Sequence, residues 1–295
     1  MATVSVIIPT FNRAGKVVRA ISSVLSQTFT DLEIIIVDDG SMDGTKDALA
    51  KFRNKIKYIY HSLNLGVSAA RNSGIKKSTA PFISFLDSDD YWLPEKLAEQ
   101  IAFFERNPNA PACQTEEIWI RNGRRVNPRK IHRKPSGDIF EPSLKLCLVS
   151  PSAVIMKRVL LEEVGLFDED LPACEDYALW LRISCRYPVY LIKRPLVVKE
   201  GGHSDQLSAR YKGMDKFRIK ALVKLIKSGV LNERQLQATF EELSLKCRIY
   251  SNGCVKRGKL DEGTYYLQLP EILRKELAHS CSRVLKPLLT MEVIK

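Results

Sequence analysis

Short apolar runs alternate with amphipathic stretches over the first ninety residues of the chain. Each apolar run is five or six residues long, the length of a strand, and contains few of the alternating polar positions of a half-exposed strand. The stretches between the runs repeat apolar residues at three- and four-residue spacing, which predicts helices. Buried strands joined by helices predict an α/β domain with a mainly parallel sheet flanked by helices. The predicted strands are 4–8, 32–37, 56–60 and 82–86, and the predicted helices are 16–26, 44–52 and 67–76.

The pattern changes twice after this region. Between Arg121 and Lys134 the chain carries seven Arg or Lys residues and no acidic residue, and its Gly and Pro residues predict loops. After about residue 210 the pattern is helical alone, with amphipathic stretches at 214–227, 233–250 and 270–285. Pro270 suits the first turn of the last stretch. We therefore expect a domain over 1–205, with halves 1–107 and 108–205, and a helical C-terminal region over 206–295.

Acidic residues follow two of the predicted strands, at the edge where parallel sheets bind ligands. Asp38 and Asp39 end the second strand, and Asp87 and Asp89 follow the fourth. Carboxylates accept hydrogen bonds from base N–H groups and ribose hydroxyls, so the first pair favours a nucleoside site. The second pair offers the hard oxygen ligands that suit Mg²⁺ or Mn²⁺. Ordinary turns and helix caps are the structural alternatives for both pairs.

Two further positions could carry chemistry. Glu175 and Asp176 open a predicted helix, where they either compensate the helix dipole or supply a general base for an acceptor hydroxyl. His203 follows two glycines, and it is either a polar surface group or a metal or phosphate contact.

Composition narrows the possible functions. The 46 basic and 34 acidic residues give a net charge of +12, which indicates either a polyanionic partner or simply a basic surface. Seven cysteines without a C-x-x-C pair argue against a zinc site or disulfide framework and for reduced thiols in the cytosol. Neither a membrane-spanning run nor a signal peptide is expected. Dinucleotide, P-loop and nucleophile-elbow motifs are missing, which disfavours those enzyme classes.

Taken in order, five motifs resemble those of the family 2 glycosyltransferases of the GT-A fold, over about residues 3–205. The resemblance implies a Rossmann-like sheet, here with a C-terminal α-helical appendage. It also implies transfer of a sugar from a nucleotide diphosphate sugar, usually a UDP-sugar, with inversion at the anomeric carbon. The motifs are Val4–Asn12, Ile36–Ser41, Asn64–Gly74, Phe85–Asp90 and Glu175-Asp176.

The resemblance also implies roles for individual residues. Ala178 stands where related sequences often carry a further Asp, which puts an acceptor contact there in doubt. The implied roles are Pro9, Phe11 and Asp39 in the nucleoside pocket, Arg71 on the base or a phosphate, Asp87 on the ribose or metal, Asp89 on a Mn²⁺ or Mg²⁺ ion, Asp176 as catalytic base with Glu175 beside it, and His203 as a further metal or diphosphate contact.

The resemblance implies that half 1–107 binds the nucleotide sugar and half 108–205 binds the acceptor. The basic stretch 121–134 belongs to the acceptor-binding half. We expect it, with helix 214–227, to contact an anionic acceptor or an anionic membrane face; a solvated surface is the alternative. The acceptor is expected to be a glycan or a lipid-linked saccharide in bacterial surface glycan synthesis. The expected location is the cytoplasm, or the inner face of the cytoplasmic membrane. No nucleic-acid partner is expected, because no recognisable module is present; the oligomeric state is open.

Two alternative functions remain at this point. A catalytically weak nucleotide-sugar-binding scaffold would keep the fold but would not need a base such as Asp176. A nucleotidyltransferase would want a Gly-rich, basic loop after the first strand, where this chain has Thr10-Phe11-Asn12-Arg13.

Overall fold

The computed structural model describes residues 2–202, 211 and 213–289. The chain divides into two compact units, 1–212 and 213–295. The expected boundary between residues 205 and 206 lies outside the described residues. The first unit contains a nine-stranded mixed sheet with helices, and the second unit is helical in its described part.

Four parallel strands form the first half of the sheet, in the order β3-β2-β1-β4. The connecting helices lie between consecutive strands, as the apolar periodicity predicts, and the helix after β2 ends in a 3₁₀ turn, Ala50–Phe52. The strands are β1 Val4–Thr10, β2 Leu32–Asp38, β3 Lys57–Tyr60 and β4 Phe82–Phe85, and the helices are α1 Ala14–Leu25, α2 Thr45–Leu49 and α3 Val67–Lys77.

The second half extends the same sheet with both strand directions. β8 pairs antiparallel with β4 and β6, β9 runs parallel to β6, and β5 and β7 form antiparallel edges on β9 and β6. The added strands are β5 Tyr91–Trp92, β6 Ala112–Arg121, β7 Arg124–Val126, β8 Val154–Lys157 and β9 Val189–Gly201. The added helices are α4 Lys96–Arg106, α5 Phe140–Lys145, α6 Val159–Val164 and α7 Glu175–Ser184.

Apolar layers cover both faces of the sheet. Ile8 and Ile36 pack with α1 on one face, while the preceding residues, Ile7 and Ile35, pack with α3 on the other. This is why the strands read as continuous apolar runs in the sequence. A Cβ on Gly74 of α3 would lie 2.4 Å from Ile7, so glycine permits α3 to approach β1 closely.

The basic stretch is more regular than the sequence predicts. Instead of loops alone, β6 continues to Arg121 and turns through Asn122 and Gly123, both with positive φ, into β7. A short 3₁₀ turn, Lys130–His132, follows. The strand β6 has β9 as its partner over its full length, with a bulge near Pro195.

The second unit consists of three helices in its described part: α8 Asp215–Lys227, α9 Glu233–Val255 and α10 Leu260–Leu289. The middle helix α9 contacts both others and begins with a reciprocal capping box between Asn232 and Gln235. The prediction that the last helix begins near Pro270 is wrong. Pro270 lies inside α10, where it forgoes one backbone hydrogen bond and is buried. Within the described helices, none combines the length and apolar character needed to cross a membrane.

Candidate active site

The loops that follow β2 and β3 are held together by Asp39. This buried carboxylate accepts hydrogen bonds from the backbone N–H of Leu65 (3.0 Å) and Gly66 (2.8 Å), and it contacts Nδ1 of His61 at 2.7 Å. Gly40 adopts a positive φ of 83°, and a Cβ there would lie 2.9 Å from the backbone of Leu63. Asp39 therefore holds the loop before α3 in place, and its predicted role in a nucleoside pocket stays a prediction.

The loops after β1 and β2 are also joined directly. Asn12, which has a positive φ of 51°, donates its backbone N–H to Oγ of Ser41 and accepts the backbone N–H of Met42 on its side-chain oxygen. Phe11 is 37% exposed at this edge, whereas Pro9 is buried inside β1. Of these two predicted pocket residues, only Phe11 presents substantial side-chain surface.

Three aspartates follow β4, and each has a different partner. Asp87 accepts a hydrogen bond from Nη2 of Arg71 at 2.8 Å, and Asp89 pairs with Nη1 of Arg13 at 2.7 Å. Asp90 is buried and accepts a 2.6 Å hydrogen bond from the Ser152 hydroxyl. The first two carboxylates therefore lie beside cations, while Asp90 joins the strand end to the second half of the sheet.

Arg71 connects the two halves of the first unit. Its buried guanidinium donates to Asp87 through Nη2 and, at 2.6 Å, to Oε1 of Glu175 through Nη1. The guanidinium carbon also lies 5.1 Å from the ring centre of Phe167. Asn72 fixes the backbone of Phe167, since its side chain donates a hydrogen bond to the Phe167 carbonyl and accepts one from the Phe167 N–H. This places the start of α7 next to the carboxylates after β4.

Burial and neighbouring cations shift the pKa values of these acids in opposite directions. Burial and the neighbouring Asp176 raise the pKa of Glu175 to about 7, although Arg71 opposes the shift. Burial also raises the pKa of Asp89 against the charge of Arg13. At Asp87, burial is outweighed by the charges of Arg71 and other cations, and its pKa lies below the ordinary value. A carboxylate and a partly protonated carboxyl thus share the Arg71 guanidinium near neutral pH.

A glutamate of β6, Glu117, takes part in a buried ion pair. Lys134 contacts Glu117 at 3.1 Å, and Glu117 also accepts a hydrogen bond from the indole of Trp119. Lys199 of β9 donates to Oγ of Ser150 at 3.2 Å. Burial opposes its charge, but four acids outweigh this and raise the pKa of Lys199. These acids are Glu117, Asp90, Asp87 and Asp176.

Four residues with contacts at or near the site carry no predicted role: Lys199, Glu117, Arg13 and Asn72. Their charged or backbone partners come from other elements, so spacing carries no signal for Lys199 or Glu117, and Asn72 lies within the motif Asn64–Gly74 but was given no role. Arg13 has one local signal, since it directly follows the motif that ends at Asn12. Lys134 was assigned to an exposed basic stretch, but its ammonium group is buried against Glu117.

Asp176 lies at the first turn of α7 behind Cys174, which has a positive φ of 61°. Burial and the adjacent Asp176 raise the pKa of the Cys147 thiol well above its ordinary value, and Sγ donates to the Val149 carbonyl. A neutral thiol is a poor nucleophile, so Cys147 is unsuited to covalent catalysis. Ala178, two residues after Asp176 in the same helix, is buried.

The structure brings most of the predicted residues to one edge of the sheet, but not all can be placed. His203 lies outside the described residues. Across the described ranges, no three His, Cys, Asp or Glu side chains are grouped as a complete metal site. Mg²⁺ in proteins often uses only one or two carboxylates together with substrate phosphates. The oxygen donors of Asp87 and Asp89 fit such a partial site.

Removing the Arg71 guanidinium is expected to destabilise the first unit. The variant Arg71→Met leaves Glu175 buried and Asp87 half-buried without their shared cation, and we expect a loss of about 3 kcal/mol in unfolding free energy. Because Glu175 titrates at about 7 in the folded state and near 4.5 when unfolded, its contribution to stability falls as the pH rises between these values. Because Arg71 lowers the pKa of Glu175, its removal raises that pKa further, and the loss in Arg71→Met should be larger at pH 8 than at pH 5.5, as measured by urea unfolding.

Arg158→Met is a matched control for that variant. Among the described residues, the acceptors of Arg158 are uncharged: the Ala80 carbonyl and the Ser78 hydroxyl. Its replacement should cause a smaller loss with little dependence on pH. Equal losses in the two variants would contradict the role assigned to the Arg71 ion pairs.

Known proteins resemble this chain in sequence, and the resemblance is to glycosyltransferases. The profile of glycosyl transferase family 2 matches residues 5–165. An uncharacterised glycosyltransferase of Rickettsia bellii is 37% identical over 187 residues, covering 63% of this chain and 27% of the relative. An Escherichia coli protein, UDP-Glc:alpha-D-GlcNAc-diphosphoundecaprenol beta-1,3-glucosyltransferase WfgD, is 34% identical over 61% of this chain and 69% of its own length. The chain spans about a third or less of the length of three Rickettsia relatives that it matches.

Solved structures share the fold at low identity. S. aureus TarS 1–349, in complex with UDP-GlcNAc, matches with a TM-score of 0.67 and 19% identity over 94% of this chain and 92% of its own. The mannosyltransferase PcManGT from Pyrobaculum calidifontis, in complex with GDP-Man and Mn²⁺, matches with a TM-score of 0.64 and 18% identity over 98% and 82%. These likenesses confirm the predicted GT-A architecture, and with the profile match over more than half of its length, the chain belongs to glycosyl transferase family 2.

Proposed function

We propose that this protein transfers a sugar from a UDP-sugar to an acceptor hydroxyl, with inversion at the anomeric carbon. The observation that carries the proposal is the Arg71 bridge, which holds Asp87 and Glu175 on one guanidinium. It sets the carboxylates after β4 beside the helix that begins with Glu175 and Asp176. Donor-binding and acceptor-activating groups thereby share one site.

Asp176 is the proposed general base. An inverting transfer is a single displacement, so the acceptor hydroxyl must lose a proton as it attacks from the face opposite the leaving diphosphate. Asp176 is half-buried next to Glu175, whose pKa is raised to about 7 and which is held by Arg71. We assign Glu175 the role of a positioning residue, and we assign Asp176 the role of accepting the proton from the acceptor hydroxyl.

Asp89, with Asp87 nearby, is the proposed holder of a Mn²⁺ or Mg²⁺ ion. The carboxylate oxygens are the hard ligands that these ions prefer, and burial makes a cation next to Asp89 favourable. When bound, the ion stabilises the negative charge that develops on the departing diphosphate. The mannosyltransferase with the same fold, solved with Mn²⁺, supports this choice.

The donor and acceptor classes follow from the relatives. A relative that uses UDP-Glc and acts on a lipid-linked diphosphate, and a structural neighbour in complex with UDP-GlcNAc, both support a UDP-sugar donor. We propose a lipid-linked saccharide as the acceptor and bacterial surface glycan synthesis as the process. The corresponding location is the cytoplasm or the inner face of the cytoplasmic membrane.

A thermal-shift panel tests the donor class. We expect UDP with Mn²⁺ to raise the melting temperature, and GDP, dTDP and CMP to have smaller effects. A ligand at about 100 times its dissociation constant adds about 2.7 kcal/mol of stability, which such an assay detects. Each nucleotide is measured with and without Mn²⁺, and EDTA should reverse the metal-dependent part. An equal shift with every nucleotide would contradict the assignment to UDP, and no shift with any would favour a scaffold function.

A further inference from the structure

The hairpin formed by β6 and β7, with the 3₁₀ turn that follows, carries an uncompensated positive surface. We call residues 121–133 the basic hairpin. Its six cationic side chains are exposed, and the segment contains no acidic residue. They are Arg121, Arg124, Arg125, Arg129, Lys130 and Arg133.

These six cations differ from others on the same unit. Within the described residues none of the six makes an ion pair with a carboxylate, whereas Lys57 pairs with Glu33 and Arg19 pairs with Glu200. A cation without a carboxylate partner retains its full attraction for an external anion. The basic hairpin is therefore a site of concentrated positive potential.

The backbone holds this surface in a fixed arrangement. The strand β6 pairs with β9 from Ala112 to Arg121 and with β7 from Trp119 to Arg121. The rings of Trp119 and His132 lie 5.2 Å apart, which fastens the 3₁₀ turn back to β6. Fixed cations lose less conformational entropy on binding than cations on a flexible loop.

An apolar side chain lies among the charges. Ile131 is 62% exposed between Lys130 and His132. Basic residues around an exposed apolar side chain are typical of protein surfaces that bind the headgroup region of a membrane. A soluble glycan or a single diphosphate would need fewer, converging cations and would gain nothing from Ile131.

The lysine-rich helix of the second unit is less suited to this role. Lys216 and Lys227 of α8 are paired with Glu262 and Glu276 of α10. Part of its charge is thus already balanced by carboxylates. This distinguishes helix 214–227 from the basic hairpin, although the sequence suggests both as contacts for a membrane.

We propose that the basic hairpin docks the protein on anionic phospholipid headgroups, with Ile131 reaching the acyl boundary. The root of the hairpin lies next to the loop after β4, since Trp119 of β6 pairs with Lys199 of β9, and the N–H of the following residue, Glu200, donates to Asp90 at 3.2 Å. Docking there would bring a membrane-held acceptor to the base. This benefit rests on the proposed function, but docking itself does not require it.

The test is sedimentation of the full chain with vesicles. Vesicles of phosphatidylglycerol and phosphatidylcholine are compared with pure phosphatidylcholine at low and high KCl. We expect binding to the anionic vesicles alone, weakened by salt. Each cation near an anionic surface contributes about fivefold to binding, so Arg124→Gln/Arg125→Gln/Arg129→Gln should lose about a hundredfold. Ile131→Ser should lose several-fold at the same net charge.

A charge-matched control separates the hairpin from net charge. Lys46→Gln/Arg53→Gln/Lys55→Gln removes three exposed cations elsewhere on the first unit. Binding by this variant should stay within about twofold of the unmodified protein. Equal losses in the two triple variants would overturn the proposal in favour of a diffuse charge effect. Wild-type protein that ignores anionic vesicles, or binds a short RNA in their place, would also overturn it.

The nucleotide thermal shift is measured on the same samples. Loss of vesicle binding with an intact UDP shift supports the docking surface without any claim about catalysis. If the unmodified protein binds vesicles but shows no thermal shift with UDP, the proposed function is rejected and the docking surface is retained.

Discussion

Replacing Asp176 by Asn is expected to reduce sugar transfer by about 10²–10⁴-fold, the usual contribution of a general base. The amide keeps the size of the side chain but cannot accept the acceptor's proton. UDP binding should remain unchanged, because Asp176 lies at the start of α7 and the donor is assigned to the loops after β1, β2 and β4. The measurement is the initial rate of transfer from a UDP-sugar alongside the UDP thermal shift.

Two variants make that result specific. Asp47→Asn removes the same charge from an exposed position on α2 and should leave the rate unchanged. Glu175→Gln should reduce the rate less than Asp176→Asn and should lower stability, because it weakens the contact with Arg71. If Glu175→Gln stops transfer while Asp176→Asn retains a near-normal rate, the base is Glu175 and our assignment is wrong.

The fold was largely predictable because its strands are buried on both faces. Ile7 and Ile8 face opposite layers, so β1 appears as an unbroken apolar run. The same reasoning failed where exposure removes the apolar signal. The strands of the basic hairpin carry charges on exposed positions, and only Asn122 and Gly123 hint at a tight turn. Pro270 was expected to lie in the first turn of a helix because its helix propensity is low. Its burial in the folded unit outweighs that low propensity, so the helix continues through it.

The candidate site was predictable only where residues follow strand ends. Asp39, Asp87 and Asp89 lie where the topology of a parallel sheet places ligand groups, so their clustering follows from the strand assignment. Their partners could not be found this way. Arg71 reaches Glu175 across 104 positions of the chain, and Lys199 lies near Glu117 only because β9 pairs with β6. Such long-range pairing leaves no local pattern, so the contacts of Arg71 with two carboxylates could not be predicted, and its contact with the donor stays a prediction.

Removing the Asp89 carboxylate is expected to eliminate the metal-dependent part of nucleotide binding. In Asp89→Ala, the Mn²⁺-dependent increment of the UDP thermal shift should disappear, and transfer should fall by about a thousandfold, since an ion on a phosphoryl oxygen contributes several kcal/mol. Any UDP shift seen without Mn²⁺ should persist, because we assign that part of the binding to the loops around Asp39.

Asp89→Ala also breaks the ion pair with Arg13, and the two consequences must be separated. Arg13→Ala breaks the same pair but keeps the carboxylate. If Asp89 acts as a metal ligand, Arg13→Ala retains the Mn²⁺-dependent increment while Asp89→Ala loses it. If the ion pair merely shapes the loop after β1, both variants lose the UDP shift with and without Mn²⁺. An unchanged Mn²⁺ increment in Asp89→Ala would remove Asp89 from the metal site and leave Asp87 as the carboxylate to test next.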